Sequence, residues 1–334
     1  MPKVSIITIN YNGLEDTIGC LESLKKITYP NYEVFVVDNA SKNREGEKLK
    51  NKFGNYINLI QSDKNLGFSG GNNLAIREVI KEEKSKYICL LNNDTIVERD
   101  FLDYLVTTAE KNREICSVSP QILKYYDRNK IDSLGMSYYK SGLVFKINNN
   151  KLKNSILEDK LFTANGSCGL YSINSLKDIC YDNQYFDEDF FMYSEELDLG
   201  FRLIHAGYYP SYNIKSIIYH KVGSSLGGDN SNFSRYYTVR NTFFVIYKNY
   251  PTYFLFKYFV SILIMQFAMF MLYIKRGKLR LFIRSYKDMF YMVSIMYKKR
   301  KYILKNSKVG NMGLLKYFEK SVFPIKYSYF IKEK

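Results

Sequence analysis

Residues 88–101 read ICLLNNDTIVERDF. Ile88 to Leu91 form an apolar run suited to a buried strand, and the run stops abruptly at Asn92, Asn93 and Asp94. One reading is a turn that caps the next helix, since Asn and Asp satisfy free backbone donors there. The other is a strand that delivers oxygen ligands to a site. The pattern on either side bears on the choice.

Apolar, β-branched runs also occur at Val4 to Ile9, Tyr32 to Val37 and Tyr56 to Ile60, and the run quoted above starts at Tyr87. Between them lie helix-period segments, one carrying Leu14, Ile18, Leu21 and Leu24, another Leu74, Val79 and Ile80. A βαβα series of this kind predicts an α/β fold, a Rossmann-like, mostly parallel central sheet with helices on both faces, because each parallel crossover needs a covering element. Ligands bind such sheets beyond the carboxyl ends of the strands. Those ends read Thr8-Ile9-Asn10-Tyr11-Asn12, Asp38-Asn39-Ala40-Ser41, Asp63-Lys64-Asn65-Leu66-Gly67 and Asn92-Asn93-Asp94. Four polar ends on one edge favour a ligand crevice over four separate caps.

The chain has 334 residues and a formal charge of +16. From Lys248 onward there are 19 Lys and Arg against Asp288, Glu319 and Glu333, so the first 247 residues are neutral and the charge belongs to the tail. Five scattered cysteines with no CxxC favour a reducing compartment. With only His205 and His220, a multi-histidine zinc centre is excluded. The start, MPKVSIITIN, lacks the features of a signal peptide.

Beyond residue 115 the pattern is mixed. A strand is expected at Ile115 to Leu123, a turn at Ser141-Gly142, a helix from Ser194 to Ala206 closed by Gly207, and a strand from Ile214 to Tyr219 that delivers His220. The KVGSSLGGDN that follows reads as a mobile active-site loop. In the tail, Tyr258 to Ile274 is free of charge but short for crossing a bilayer. Leu279, Phe282, Ile283, Tyr286, Met289, Phe290, Val293 and Met296 then recur at helical spacing among Arg and Lys. Such a basic amphipathic helix suits an anionic membrane surface. A helix packed on the body explains the apolar stripe equally well, but not the near absence of acids.

Three further groups carry chemistry. In FDEDFFMYSEELDLGFRLIHAGY, residues 186–208, Asp187, Glu188, Asp189, Glu195, Glu196 and Asp198 crowd into twelve positions amid aromatics. Acids do complement a helix start, and Asp198 with Arg202 forms an i,i+4 pair. Carboxylates beside aromatic walls also serve as general bases, because desolvation raises their proton affinity. NLGFSGGNN, residues 65–73, allows close backbone approach before a helix, yet it is neither GxGxxG nor a P-loop, which argues against hydride transfer and P-loop chemistry. Asp94 suits a hard divalent cation bridging a diphosphate.

Taken together, VSIITINYNG, YEVFVVDNAS, NLGFSGGNN, LLNNDT, GSCGLYS, FDEDFFMYSEELDLGFRLIHAGY, YHKVGSS and YYTVRN resemble the family 2 glycosyltransferases of the GT-A fold, in particular a bacterial rhamnosyltransferase-like branch. The likeness covers residues 4–241. It implies a catalytic domain over 1–247, with a nucleotide-sugar half at 1–122 and an acceptor half at 123–247, followed by a helical, membrane-associating region at 248–334. Thr8, Asn10, Tyr11, Asp38 and Asn39 would hold the nucleoside, with Asn65, Gly67 and Asn72 shaping its floor and Asn93 beside Asp94. Asp94 would match the last acid of the family's DxD motif and, with His220, bind Mg2+ or Mn2+ and the diphosphate; Asn92 stands where many members have the first Asp. Glu196 would be the base, Glu195 the alternate, and Asp198 would orient the helix through Arg202.

The implied activity is inverting transfer of a sugar, dTDP-rhamnose as first donor and UDP-hexose next, to a glycan or lipid-linked glycan in surface polysaccharide synthesis. The implied location is cytoplasmic, peripheral on the inner face of the membrane, with a homo-oligomer left open. A sugar-nucleotide nucleotidyltransferase shares the fold class, but its basic Gly-rich first loop is replaced here by the acidic NYNGLED. A nucleic-acid-binding protein would draw on the +16, but the bases interleave with apolar helices rather than lining a groove, so no nucleic acid is expected.

Overall fold

The computed structural model describes residues 1–155, 159–221 and 231–324; of the loop expected to be mobile after His220, residues 222–230 lie outside this range. The chain opens with β1 (Val4–Asn10), α1 (Leu14–Leu24), β2 (Tyr32–Asn39), α2 (Glu45–Phe53), β3 (Ile57–Ser62), α3 (Gly67–Glu82) and β4 (Tyr87–Leu91). β1 pairs in parallel with β2 on one side and β4 on the other, and β2 pairs with β3, so the order is β3-β2-β1-β4. The strand order therefore reverses between β1 and β4, and a crevice opens at their carboxyl ends.

Side-chain alternation explains the covering layers. Val4, Ile6, Val34 and Val36 face Leu21 and Leu24 of α1, whereas Ile7, Phe35 and Val37 face Ala75, Ile76 and Val79 of α3. Both faces of each strand are apolar, as a sheet buried on both sides requires.

Next come β5 (Thr95–Val97), α4 (Phe101–Ala109), β6 (Ile115–Lys124), β7 (Asp127–Ser133), β8 (Met136–Tyr138), β9 (Val144–Lys146), β10 (Cys168–Ser172), α5 (Ile173–Asp178), α6 (Glu195–His205) and β11 (Tyr209–His220). The sheet continues β4-β10-β6-β11-β5, with β7 beside β6. β5, β7 and β10 run against the other six strands, so the sheet is mixed although most strands share one direction. Asn92 to Asp94 do not cap a helix. They turn β4 into β5, which pairs antiparallel with β11 so that Thr95 faces His220.

The tail forms α7 (Asn232–Asn249), α8 (Thr252–Lys257), α9 (Phe259–Lys275), α10 (Leu279–Lys305) and α11 (Asn311–Leu315). The expected boundary at 247 falls inside α7, and the segment after it shares a core with the body. Tyr250, Phe254, Met289, Met296 and Phe318 pack with Tyr138, Phe162 and Phe201 in one cluster. The apolar stripe of α10 divides: Phe282, Met289 and Met296 are buried, while Leu279, Ile283 and Phe290 are exposed. Among the described residues no helix is long and apolar enough to cross a membrane.

Candidate active site

A cleft of about 350 Å³ opens at the carboxyl ends of β1 and β4, where the strand order reverses. Tyr11, Asn39, Asn65, Gly67, Asn93 and Asp94 line it from the β1–β4 half, and Glu195, Glu196 and His220 from the other. Residues separated by more than a hundred positions thus meet around one space. Its size is within the ordinary range for a small-molecule site.

Thr8, Asn10, Asp38 and Asn72 do not line the cleft; they are buried beneath it. Asn10 Nδ2 donates to Asp38 Oδ1 (3.1 Å) and Glu45 Oε2 (3.0 Å), and Asn10 Oδ1 accepts from Thr17. Asn93 Nδ2 in turn donates to Thr17 Oγ1 at 2.9 Å, so the ends of β1, β2 and β4 form one hydrogen-bonded bed. Asn39 shapes the neighbouring turn by accepting from the Leu66 amide and donating to Gly67 O. Gly67 has φ +67°, and a Cβ there would lie 2.2 Å from the Phe191 carbonyl oxygen. Only glycine lets this loop approach the acidic segment so closely.

At one end, Asp94 Oδ1 lies 3.3 Å from His220 Nε2, and His220 Nδ1 lies 3.2 Å from Asp132 Oδ2. Burial alone would push the His220 imidazolium down, but hydrogen bonds to Asp132 and Asp94 outweigh it and raise the group to about 9. Asp132 is itself drawn down to about 2 against its burial by His220 and Lys146. Nothing in the sequence singles out Asp132 or Lys146, since a lone Asp in KIDSLG and a lone Lys in VFK form no pattern.

On the other side, Glu195 and Glu196 begin α6. Glu195 is almost fully buried, and its Oε2 has no hydrogen-bond partner among the described residues. Burial first, then the Glu196 charge, pushes its carboxyl well above the usual range; Glu196 is raised chiefly by burial. Asp198 points away from the cleft, 2.9 Å from Arg202 Nε and 2.7 Å from Lys248 Nζ.

The segment before α6 has an unusual backbone: Phe191, Tyr193 and Ser194 have φ of 62°, 70° and 69°. Non-glycine residues hold this left-handed conformation only when their surroundings impose it. Here α7 supplies the restraint. Asn241 Nδ2 faces the carbonyl oxygens of Phe190, Met192 and Tyr193 at 3.0, 2.9 and 2.7 Å, and Arg240 donates to those of Asp189 and Phe190. YYTVRN belonged to the resemblance, but its part in the site appears only in three dimensions.

The glycosyl transferase family 2 model matches residues 5–180, just over half of the chain. The chain belongs to that family. Among its relatives is a low-salt glycan biosynthesis hexosyltransferase, Agl10, of Haloferax volcanii, 27% identical over 60% of this chain and 62% of its own length. The chain thus spans less than two thirds of that relative. Similar solved structures include GalNAc-T7 with UDP, GalNAc and Mn2+ (TM-score 0.60, 14% identity, 77% of this chain and 50% of that one). The mannosyltransferase PcManGT of Pyrobaculum calidifontis, in complex with GDP-Man and Mn2+, matches with a TM-score of 0.56 and 14% identity over 91% of this chain and 87% of its own. The fold is GT-A.

Proposed function

We propose that this family 2 member is an inverting glycosyltransferase that moves a sugar from a nucleotide-diphosphate donor to a hydroxyl of a glycan acceptor. The observation that carries the reading is the meeting of the Asp94–His220 pair and the Glu195–Glu196 pair across one cleft at the switch point of the sheet. The β1–β4 side would receive the nucleoside through Tyr11, Asn39 and Asn65, with the buried Asn10, Asp38 and Asn93 network fixing the floor.

The donor set fits a divalent cation, Mg2+ or Mn2+, because a carboxylate oxygen and an imidazole nitrogen stand 3.3 Å apart at the cleft. Among the described residues no cluster of three or more His, Cys, Asp or Glu side chains is disposed to hold a metal, which suits an ion completed by diphosphate oxygens and water. Such an ion, when bound, stabilises negative charge on the departing diphosphate. The solved GT-A structures that contain Mn2+ support this assignment.

Glu196 takes the proton of the acceptor hydroxyl as that oxygen attacks the sugar carbon from the face opposite the diphosphate. Of the two glutamates, Glu195 is buried and Glu196 is half-buried at the cleft, so Glu196 is the one open to an acceptor hydroxyl. Asp198 acts from behind, anchoring α6 to Arg202 and Lys248. Glu196→Gln should lower transfer by about 10²–10⁴-fold while nucleotide binding persists. Purified variant turning over at the parental rate would remove Glu196 from the mechanism.

By resemblance, dTDP-rhamnose is the first donor to test and UDP-hexose the second. A lipid-linked glycan on the inner face of the membrane is the acceptor that best suits the tail. Phe256, Val260 and Phe267 are 80%, 67% and 63% exposed, beside Lys257, Lys275, Arg276, Lys278 and Arg280. Apolar side chains among bases with almost no acids match an anionic lipid surface.

A further inference from the structure

Four ionisable side chains, acids alternating with bases, run in line from the Asp94 end of the cleft. Asp94 Oδ1 is 3.3 Å from His220 Nε2, His220 Nδ1 is 3.2 Å from Asp132 Oδ2, and both Asp132 oxygens lie 2.9 and 3.1 Å from Lys146 Nζ. They come from separate pieces of chain: the β4–β5 turn, the end of β11, β7 and β9. His220 and Lys146 line the cleft, while Asp132, 3% exposed, sits behind both. One carboxylate thus holds two cleft residues at once. Donation of Nδ1–H to a carboxylate holds the imidazole in one orientation, so that a cation which displaces the Nε2 proton meets the Nε2 lone pair beside Asp94. Lys146 holds that carboxylate through both oxygens, which sets its orientation toward the ring.

We propose that Asp132 and Lys146 are positioning residues for the divalent cation: Asp132 presents His220 Nε2 to the ion beside Asp94, and Lys146 fixes Asp132. The inference rests on the reading of Asp94 and His220 as the cation's ligands. A purely structural ion pair would stabilise the β7–β9 region without affecting the ion, so metal affinity separates the two roles.

The test uses the full chain and MnCl2 alone, with free Mn2+ followed by electron paramagnetic resonance. His220→Ala, which removes a ligand, should weaken Mn2+ binding at least as much as Asp132→Ala, for which about 10- to 100-fold is expected, the usual effect of losing a partner behind a metal ligand. Asp132→Asn, which keeps an acceptor oxygen, should lose less than Asp132→Ala. Since Asp132 acts through His220, the double variant should bind no more weakly than His220→Ala by itself. Lys146→Met leaves Asp132 in place and serves should Asp132→Ala not fold; a several-fold loss is expected. Mn2+ affinity within twofold of the parent in Asp132→Ala, or in Lys146→Met where that stands in, with His220→Ala impaired, overturns the proposal and leaves the ligand assignment intact. Unchanged affinity in His220→Ala overturns the assignment beneath it.

Discussion

Asn241→Ala should damage catalysis more than its distance from the cleft suggests. The Asn241 amide nitrogen faces three carbonyl oxygens, those of Phe190, Met192 and Tyr193, and Arg240 Nε donates to its Oδ1 at 3.0 Å, so its orientation is fixed. Two N–H groups serve those acceptors. Losing two neutral hydrogen bonds costs about 0.5–1.5 kcal/mol each, and the stranded carbonyls add about 1 kcal/mol, for a loss of roughly 2–4 kcal/mol. Phe191, Tyr193 and Ser194, all at positive φ, each hold about 1–3 kcal/mol of strain that the restraint keeps in place. Once released, the segment relaxes and carries Glu195 and Glu196 with it. A displacement of about 1 Å at a reacting group can cost about 10²-fold in rate. Chemical denaturation and steady-state transfer measure the two losses separately. Asn241→Asp is the sharper comparison, because it preserves volume but turns an acceptor toward the three carbonyls, and it should be worse than Ala. An Asp variant as stable and active as the parent would refute the restraint, and so would an Ala variant that loses stability but turns over normally.

The raised Glu196 carboxyl puts the acid limb of kcat/KM at higher pH than an ordinary carboxylate allows, since the base must be unprotonated. A limb in the ordinary carboxylate range would tell against Glu196. Lys299→Met breaks the contacts of Lys299 Nζ with Asp187 (2.5 Å) and Asp189 (2.6 Å) and should cost about 3 kcal/mol in urea unfolding at neutral pH. Asp187 is held below its unfolded value of 3.8 by Lys248 and Lys299 despite burial, so this stabilisation is complete above that pH and fades as pH falls below it. The gap between parent and variant should therefore close in acid; a constant gap would mean packing, not charge, was lost. The chain should float with anionic phospholipid vesicles at physiological salt, and Phe256→Glu with Phe267→Glu should reduce flotation. Undiminished flotation of that double variant, or none by the parent, would reject the tail as a lipid surface.

The β1–β4 half was legible in the sequence because its signals are local. Each strand is a short apolar run, two of the three crossovers are helix-period segments, and each carboxyl end is a polar cluster; α2, reading EGEKLKNKF, has only Leu49 and Phe53 as buried apolar residues and shows no such period. Strand limits moved by only a few residues, as at β3, expected from Tyr56 and observed from Ile57. What the sequence hid depends on pairing over long separations. The reversal of β4 into β5 needs β11, more than a hundred residues later, and nothing in TIVERDF announces that partner. β7, reading DRNKIDS, is poor in strand formers, so neither the strand nor Asp132 stood out. On α10 the helical period was plain, but a stripe shows only that a face is apolar, not what covers it. The two readings of that stripe, core packing and an outward face, turn out to describe different residues of one helix.

The tail's charge bears on the site through the bases that are not on the surface. Lys248 Nζ bridges Asp187 and Asp198 at 2.5 and 2.7 Å, Lys299 joins Asp187 to Asp189, and Arg300 donates to the carbonyls of Tyr247 and Tyr250 where α7 ends. Asp187 and Asp189 lie at the start of the segment that Arg240 and Asn241 hold, and Asp198 lies one turn into α6, behind the two glutamates. Buried carboxylates this close together would repel one another and distort the segment unless cations matched them. α7 and α10 provide those cations, so the Glu195–Glu196 wall of the cleft is incomplete without residues beyond 247. The outer face of α10 and the inner face that holds Asp187 belong to one rigid helix, which places a candidate lipid-facing surface and the carboxylates behind the proposed base on opposite sides of the same element.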